Sequence, residues 1–286
     1  VGHHLLRLKP RRLDRQFPLE YALDIQPAAT TRQSHTDYFG NRVVFAAVEG
    51  AHHEFRVTAN SRVAVGPAFI PAPTETPTWE SVRNLCRTDL TESALEATEF
   101  TYASPLVPVD AAFREYAIGS FSHGRPILDA VLDLTERIHR EFRFEPTATT
   151  VSTPLAQVLE RRRGVCQDFA HLMIACLRSL ALPARYVSGY LETLPPAGQT
   201  KLVGADASHA WVAFYCPGLG WIDVDPTNNI LPSMQHITLG WGRDYGDICP
   251  IRGVLVGGDE HTLHVAVDVV ALGGIDTEEL APDPDP

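Results

Sequence analysis

Several features that define common protein classes are missing from this 286-residue sequence. No apolar run approaches the roughly 18 residues that suggest a membrane-spanning helix, and no secretory h-region opens the chain. The five cysteines are odd in number, widely spaced and never arranged as Cys-x-x-Cys, so neither a disulfide framework nor a zinc site is indicated. We therefore predict a protein of a reducing compartment, the cytoplasm, without membrane association.

Basic residues are also scarce: 24 Lys and Arg stand against 35 Asp and Glu, for a net charge of −11. An acidic surface repels phosphate backbones, so this balance disfavours nucleic-acid binding. The short basic cluster Lys9, Arg11, Arg12 and Arg15 is the exception, and we interpret it as the solvated edge of a strand.

Metal-binding patterns are missing too. Calcium loops of the form Asp-x-Asp-x-Asp-Gly do not occur. Of the twelve histidines, His3-His4 and His52-His53 are adjacent pairs whose side chains diverge on a strand. The sequence therefore predicts neither a bound metal nor another cofactor.

The N-terminal part of the sequence is rich in residues that favour β-strands. Residues 19–25 alternate with the period of a half-buried strand, and the β-rich runs 42–48 and 54–65 follow the turn signal at 37–41. Four prolines between residues 66 and 78 then exclude a helix. We predict an N-terminal β domain over 1–72 and a second domain over 73–275, followed by a disordered acidic tail over 276–286.

Helical periodicity characterises the next part of the chain. Apolar residues recur every three or four positions over 127–142. A short helix is predicted over 154–161 with Thr153 as its N-cap, and a third over 164–182 that stops at Pro183. Strands are predicted after it over residues 184–191, 208–215, 220–224, 236–239 and 263–270.

The predicted third helix begins beside a cysteine, within Arg163-Gly-Val-Cys166-Gln-Asp-Phe169. A thiol at a helix N-terminus lies near unpaired N–H groups and the positive end of the helix dipole, and both stabilise the nucleophilic thiolate. Cys176, further along the same helix, lies among apolar residues and is predicted to be core. The alternative for Cys166 is also a buried structural thiol.

A histidine and two aspartates lie on the strands that follow. His209 precedes Trp211 on one strand, and Asp223 and Asp225 end the next, after the turn 217–220. Antiparallel strands joined by such a turn bring these residues close. A carboxylate can accept from one imidazole nitrogen while the other faces a thiol. Strand parity does not choose between Asp223 and Asp225, which share a face.

These motifs resemble a known family. Gly164-x-Cys166-x-Asp168, His209-Ala-Trp-Val212, Gly220-Trp221 and Asp225-Pro-Thr-Asn228 are similar to motifs of the bacterial transglutaminase-like cysteine enzymes. The likeness also covers Leu6-Arg-Leu-Lys-Pro-Arg11, Asp37-Tyr-Phe-Gly-Asn41, 183–190 and 242–247, so it spans nearly the whole chain.

The resemblance implies an α+β fold with a papain-like, transglutaminase-like core over residues 125–230, preceded by the all-β N-terminal domain. It also selects Asp225, so Cys166, His209 and Asp225 are the candidate catalytic triad. Trp211 and Gln167 are the candidate substrate-binding residues, with aromatic core packing as the alternative for Trp211.

The implied activity is acyl transfer from an amide or peptide carbonyl, and we expect hydrolysis of a protein or peptide substrate because water is the abundant acceptor. The alternatives are an amine-accepting transglutaminase and a non-enzymatic interaction module with a vestigial triad. Two departures from the family pattern matter. Ala213 stands where an acidic residue often follows His-Ala-Trp-Val, and little sequence precedes the Leu6–Arg11 motif, so we expect a truncated N-terminal domain.

Overall fold

The computed structural model of the chain describes residues 1–193, 207–257 and 261–273. The predicted tail over 276–286 lies outside these ranges. In the described part, helices and antiparallel sheets are combined, and the predicted α+β class is confirmed. No described helix has both the length and the apolar character that crossing a bilayer would require.

The N-terminal part is all β. Its strands are β1 (Gly2–Leu6), β2 (Gln16–Gln26), β3 (Thr31–Thr36), β4 (Arg42–Val48) and β5 (Arg56–Val65). The antiparallel β3–β4 hairpin turns at Asp37, whose carboxylate accepts hydrogen bonds from the backbone N–H groups of Phe39 and Asn41. The turn signal predicted at 37–41 is therefore confirmed.

The proline-rich segment contains one short 3-10 helix (Pro73–Glu75), contrary to the prediction that its prolines exclude a helix, because Pro73 takes the first helical position, where no N–H is needed. The helices that follow are α1 (Trp79–Thr88), α2 (Glu92–Glu99), α3 (Ala111–Ile118), α4 (Ile127–Glu141) and α5 (Leu155–Arg161), with β6 (Arg143–Phe144) and β7 (Arg163–Gly164) beside α5. Helix α4 confirms the periodicity over 127–142. The predicted N-cap of α5 is wrong: Pro154 holds that position, and the Thr153 hydroxyl instead accepts from the N–H of Thr150.

The core of the fold is a buried helix on a four-stranded antiparallel sheet. The helix is α6 (Cys166–Ser179), and the strands are β8 (Ala184–Leu191), β9 (Ala207–Cys216), β10 (Gly220–Val224) and β11 (His236–Gly242), in the order β10-β9-β8-β11. Alternate β9 residues, including Val212 and Phe214, pack with α6 in the main core. His209 and Trp211 therefore project from the opposite, outer face of the sheet.

Helix α6 is shorter than predicted at both ends. It begins at Cys166 rather than Gly164, and it ends at Ser179. Ala181, two residues further on, has a positive φ of 59°, which is not a helical conformation. The chain therefore leaves the helix before Pro183 is reached.

The end of the described chain returns to the N-terminal part. After α7 (Tyr245–Ile248), β12 (Ile251–Leu255) pairs antiparallel with β1 in the sheet β12-β1-β4-β3. This strand lies in the range assigned to the second domain but is hydrogen-bonded to the first. The predicted strand over 263–270 is wrong, because that segment contains only an isolated bridge at Val267.

Candidate active site

Cys166 is the first residue of α6, and two neighbours fix where that helix starts. The N–H of Val165 donates to Oδ2 of Asp168 at 2.8 Å. A side chain at Gly164 would meet this carboxylate, since a Cβ built there lies 2.7 Å from Asp168 Oδ2. The half-buried Cys166 thiol is free and lies at the positive end of the helix dipole.

His209 links the thiol to a carboxylate. It is only 8% exposed, and its Nε2 lies 2.7 Å from Oδ2 of Asp225. Because Asp225 holds Nε2, Nδ1 is the ring nitrogen left to face the Cys166 side chain, which is near enough to influence the pKa of His209. Burial disfavours the imidazolium, but the hydrogen bond to Asp225 and the interactions with the Cys166 side chain outweigh it and raise the pKa of His209 to about 9.

Asp225 lies at the end of β10, is fully buried and accepts several hydrogen bonds. Its Oδ1 accepts from the N–H groups of Thr227 (2.9 Å) and Asn228 (3.2 Å), which belong to the turn that follows. Its Oδ2 accepts from the Asn228 amide at 2.7 Å, besides His209. Burial alone would raise its pKa, but the hydrogen bonds, led by those from His209 and His236, hold it well below the usual range.

The two aspartates that parity left equivalent have separate partners. Asp225 contacts His209, whereas Asp223 forms an ion pair with Arg15 at 3.1 Å. The structure therefore brings Asp225, and not Asp223, together with Cys166 and His209. It also shows Arg15 in a specific contact, contrary to the interpretation of the basic cluster as a solvated edge.

His236 is a site residue that the sequence analysis missed. This first residue of β11 is completely buried, and its Nε2 lies 3.2 Å from Asp225 Oδ2. Its ring meets that of Trp211 edge to face at 5.2 Å between centroids, and its Nδ1 has no hydrogen-bond partner in the structure. The only sequence signal was a histidine opening a predicted strand, which does not indicate a carboxylate 11 residues away in the chain.

Trp211 has no exposed surface, so its predicted role in lining a substrate cleft is wrong for this structure. Its ring instead packs against those of His209 and His236. Gly189, which pairs directly with His209, makes room for that ring, because a Cβ at Gly189 would overlap Trp211 and the carbonyl oxygen of Ile237. Trp211 thus packs against both imidazole rings and helps to hold them in position.

Gln167 follows Cys166 in the first turn of α6 and is half-buried. Part of the surface of Gln167 is therefore accessible next to the residue that carries the thiol. A contact between Gln167 and a bound substrate stays a prediction.

Three side chains of the site also form a potential donor set for a metal. His209, Asp225 and His236 present ligand atoms that lie within 4.8 Å of one another. Two imidazoles and a carboxylate suit zinc. The same atoms are joined by hydrogen bonds of 2.7 and 3.2 Å to one carboxylate oxygen, an arrangement that satisfies Asp225 without an ion.

Comparison with known proteins agrees with this arrangement. Residues 116–226 match the model of the transglutaminase-like superfamily, and residues 1–64 match that of the bacterial transglutaminase-like N-terminal region. The chain therefore belongs to the transglutaminase-like superfamily, as the motifs predicted.

Individual relatives extend over different parts of the chain. An uncharacterized protein of Mycobacterium tuberculosis is 39% identical over 93% of this chain and 86% of its own length. The protein-glutamine gamma-glutamyltransferase of Pseudomonas aeruginosa is 33% identical over 38% of this chain and 19% of its own. The crystal structure of "a Putative Cysteine Protease from Cytophaga hutchinsonii" superposes with a TM-score of 0.72 and 25% identity, covering 88% of this chain and 80% of that one.

Proposed function

We propose that this protein is a thiol-dependent hydrolase of amide or peptide bonds that acts through Cys166, His209 and Asp225. The observation that carries the proposal is the arrangement of three side chains: a thiol at the start of α6, an imidazole whose pKa that thiol raises, and a buried carboxylate hydrogen-bonded to the imidazole. Superfamily membership supports the same reaction class, acyl transfer by a cysteine.

In the proposed reaction each residue has its own step. The Cys166 thiolate attacks the carbonyl carbon, and the Cys166 backbone N–H, unpaired at the helix start, is positioned to donate to the developing oxyanion. His209, protonated at neutral pH by virtue of its raised pKa, donates a proton to the leaving amine as the C–N bond breaks. The resulting thioester is hydrolysed by a water that His209 deprotonates, which regenerates the thiol.

Asp225 acts on His209 rather than on the substrate. Its carboxylate holds the imidazole by Nε2 and stabilises the imidazolium, as the acid of a catalytic triad does. We further propose that Gln167 contacts the substrate beside the thioester. All five cysteines are free thiols, which supports the proposal of a reducing, cytoplasmic location.

Amine transfer is the second candidate reaction, favoured by the likeness of about a third of the chain to a protein-glutamine gamma-glutamyltransferase. The two reactions share the thioester and differ only in its acceptor. They separate when peptides containing glutamine are incubated with the protein in the presence of a labelled primary amine. Label incorporation indicates amine transfer, whereas deamidated or cleaved peptide without label indicates hydrolysis.

The experiment that tests the proposal is intact-mass spectrometry of the protein with an activated amide or ester substrate. We expect a mass increase equal to the acyl group, located on Cys166 and absent from Cys166→Ala. Cys249→Ala, which removes another half-buried thiol, is the matched control and should acylate like the parent protein. Equal acylation or turnover of Cys166→Ala would refute the proposal and favour an interaction module.

A further inference from the structure

A large groove lies on the outer face of the main sheet, away from α6. It encloses about 730 Å³ and is lined by segments 11–15 and 67–71 together with residues of β8, β10 and β11. Although the chain carries a net charge of −11, the charged side chains here are mostly cationic. They are Arg11, Arg12, Arg15 and Arg185, against Asp14 and Asp223. We refer to this feature as the basic groove.

Arg185 is the unusual member of the basic groove. Its side chain is 9% exposed, and its guanidinium carbon lies 4.2 Å and 3.6 Å from the ring centroids of Trp221 and Trp241. No hydrogen bond or ion pair joins Arg185 to another residue in the part of the chain that the structure describes, and its Nε is buried without a partner. Burial of the guanidinium lowers the pKa of Arg185 to about 9, because removal from water disfavours its charged form.

No described residue provides a carboxylate in direct contact with Arg185, although the nearby charge of Asp223 offsets part of the effect of burial on its pKa. The residue directly across from it on β9 is Ala213. Asp223, the cross-strand neighbour of Ala213 on β10, is held by Arg15 at 3.1 Å. A buried cation without a counter-ion is unfavourable, and stacking on aromatic rings offsets only part of that cost. The arrangement therefore favours an anion supplied from outside the chain.

A second cation in the groove is also unpaired. Arg12 is exposed, and within the described ranges its one specific contact is with the ring of Phe17, 5.2 Å from the guanidinium carbon. Arg11, by contrast, already donates to the carbonyl of Phe39 and the amide oxygen of Asn41, both at 2.8 Å. Arg12 and Arg185 thus offer two sets of free donors, which suits a ligand with more than one carboxylate.

The basic groove also has an apolar border. Phe69 is 85% exposed and Leu219 is 41% exposed, and both line it. An inorganic anion would leave these side chains in water. A peptide that carries both carboxylates and apolar side chains would cover them while pairing with the arginines.

The position of the groove relates it to the active site. Ala213, opposite Arg185, and His209 project from the same face of β9, four residues apart. That separation is roughly 13 Å along a strand, which an extended peptide of four or five residues spans.

We propose that the basic groove binds an acidic, partly apolar segment of the peptide substrate, several residues away from the bond that is attacked. Arg185 and Arg12 pair with its carboxylates, and Phe69 and Leu219 contact its apolar side chains. The assignment of this peptide as substrate rests on the proposed function, whereas its binding does not require turnover.

Binding is therefore tested without catalysis, on the full chain carrying Cys166→Ala. The probe is a fluorescein-labelled peptide that alternates Glu with Phe, and its matched control has Gln in place of each Glu. Fluorescence anisotropy should show the Glu peptide binding at least about tenfold more tightly than the Gln peptide. This preference should decline as salt is raised from about 50 to 500 mM, because exposed charges are screened.

Three variants locate the site. Arg185→Met and Arg12→Gln should each weaken the Glu peptide by about tenfold, and Ala213→Glu should weaken it by providing Arg185 with an internal carboxylate. Arg114→Gln, an exposed arginine on α3, is the control and should bind like the parent. Arg12 is exposed, so its substitution remains informative if the buried variants fail to fold.

Three results would overturn the proposal. They are equal binding of the Glu and Gln peptides, unchanged binding by Arg12→Gln and Arg185→Met, and displacement of the Glu peptide by millimolar inorganic phosphate, which would indicate a small-anion site. With Cys166 restored, kcat/KM should favour a Glu-containing substrate over its Gln counterpart in the parent but not in Arg12→Gln. Binding of the Glu peptide without any turnover would refute the proposed function and the substrate assignment, and leave the groove as an acidic-peptide site.

Discussion

Nε2 of His236 lies 3.2 Å from the same oxygen of Asp225 that holds His209, so one buried carboxylate oxygen serves two imidazoles. His236 cannot reach a substrate, since it has no exposed surface. Its role in the proposed mechanism is to position Asp225, which in turn orients His209.

We predict that His236→Leu lowers kcat about tenfold to a hundredfold and leaves KM nearly unchanged, because a hydrogen bond to a charged group is lost. His236→Gln, which can still donate to Asp225, should recover part of the activity. The pH dependence of kcat/KM should shift in His236→Leu but not in His236→Gln. Equal loss in both variants with an unmoved profile would indicate a purely structural role.

Asp225→Asn should reduce kcat by about a thousandfold or more, since an amide cannot stabilise the His209 imidazolium as a carboxylate does. The pKa of His209 should also fall, because its burial is then opposed by fewer interactions. NMR titration of the imidazole measures this shift. The matched control is Asp223→Asn, which removes a carboxylate paired with Arg15 and should leave the His209 pKa unaltered.

Stability should depend on pH through His209. Its pKa is raised in the folded protein, so the stabilisation that its proton provides is complete below about pH 6.5 and is lost as the pH rises towards about 9. In a Cys166→Ala background, where the thiol neither titrates nor raises the pKa of His209, the unfolding free energy of the parent minus that of His209→Gln should still fall as the pH rises above about 6.5, over a narrower pH range than with Cys166 present. A difference that is flat or rises with pH, in urea unfolding, would contradict the assignment.

Gly189→Ala should destabilise the protein by about 1–3 kcal/mol, because the added methyl group meets the Trp211 ring and the Ile237 carbonyl oxygen. Displacing Trp211 also disturbs His209 and His236, which contact its ring. Activity under conditions where the variant is fully folded should therefore decline as well. Gly218→Ala would be a poor comparison because of its positive φ, whereas Gly50 has open space around it and provides the neutral control.

The site residues that could be predicted are those carried by local sequence motifs. Cys166 is identifiable because it stands at the start of a helix that the sequence predicts, and His209 because a short turn joins its strand to the one that Asp225 follows. Strand parity is periodic and could not separate Asp223 from Asp225. The family resemblance selects Asp225, and the structure agrees, since Asp225 contacts His209 whereas Asp223 pairs with Arg15, 208 residues away in the chain.

The features that escaped prediction depend on contacts between distant segments. The basic cluster reads as a solvated edge, yet the guanidinium carbon of Arg11 lies 3.4 Å from the ring centroid of Trp241. The strand predicted over 263–270 is apolar and β-branched, but the structure assigns it only an isolated bridge at Val267, and β12 occupies the place beside β1. The periodicity of apolar residues indicates which face of a helix or strand is buried. Which strands pair with each other depends on contacts with distant parts of the chain.

The central claim is that the thiol of Cys166 is activated by His209, and it is tested most directly by alkylation with iodoacetamide as a function of pH, read by peptide mass spectrometry. We predict selective alkylation of Cys166 near about pH 6, with Cys249 unreactive there, and loss of that selectivity in His209→Gln. If Cys166 of the parent protein reacts only as pH approaches about 8.5, like an ordinary thiol, and His209→Gln changes nothing, the account is contradicted.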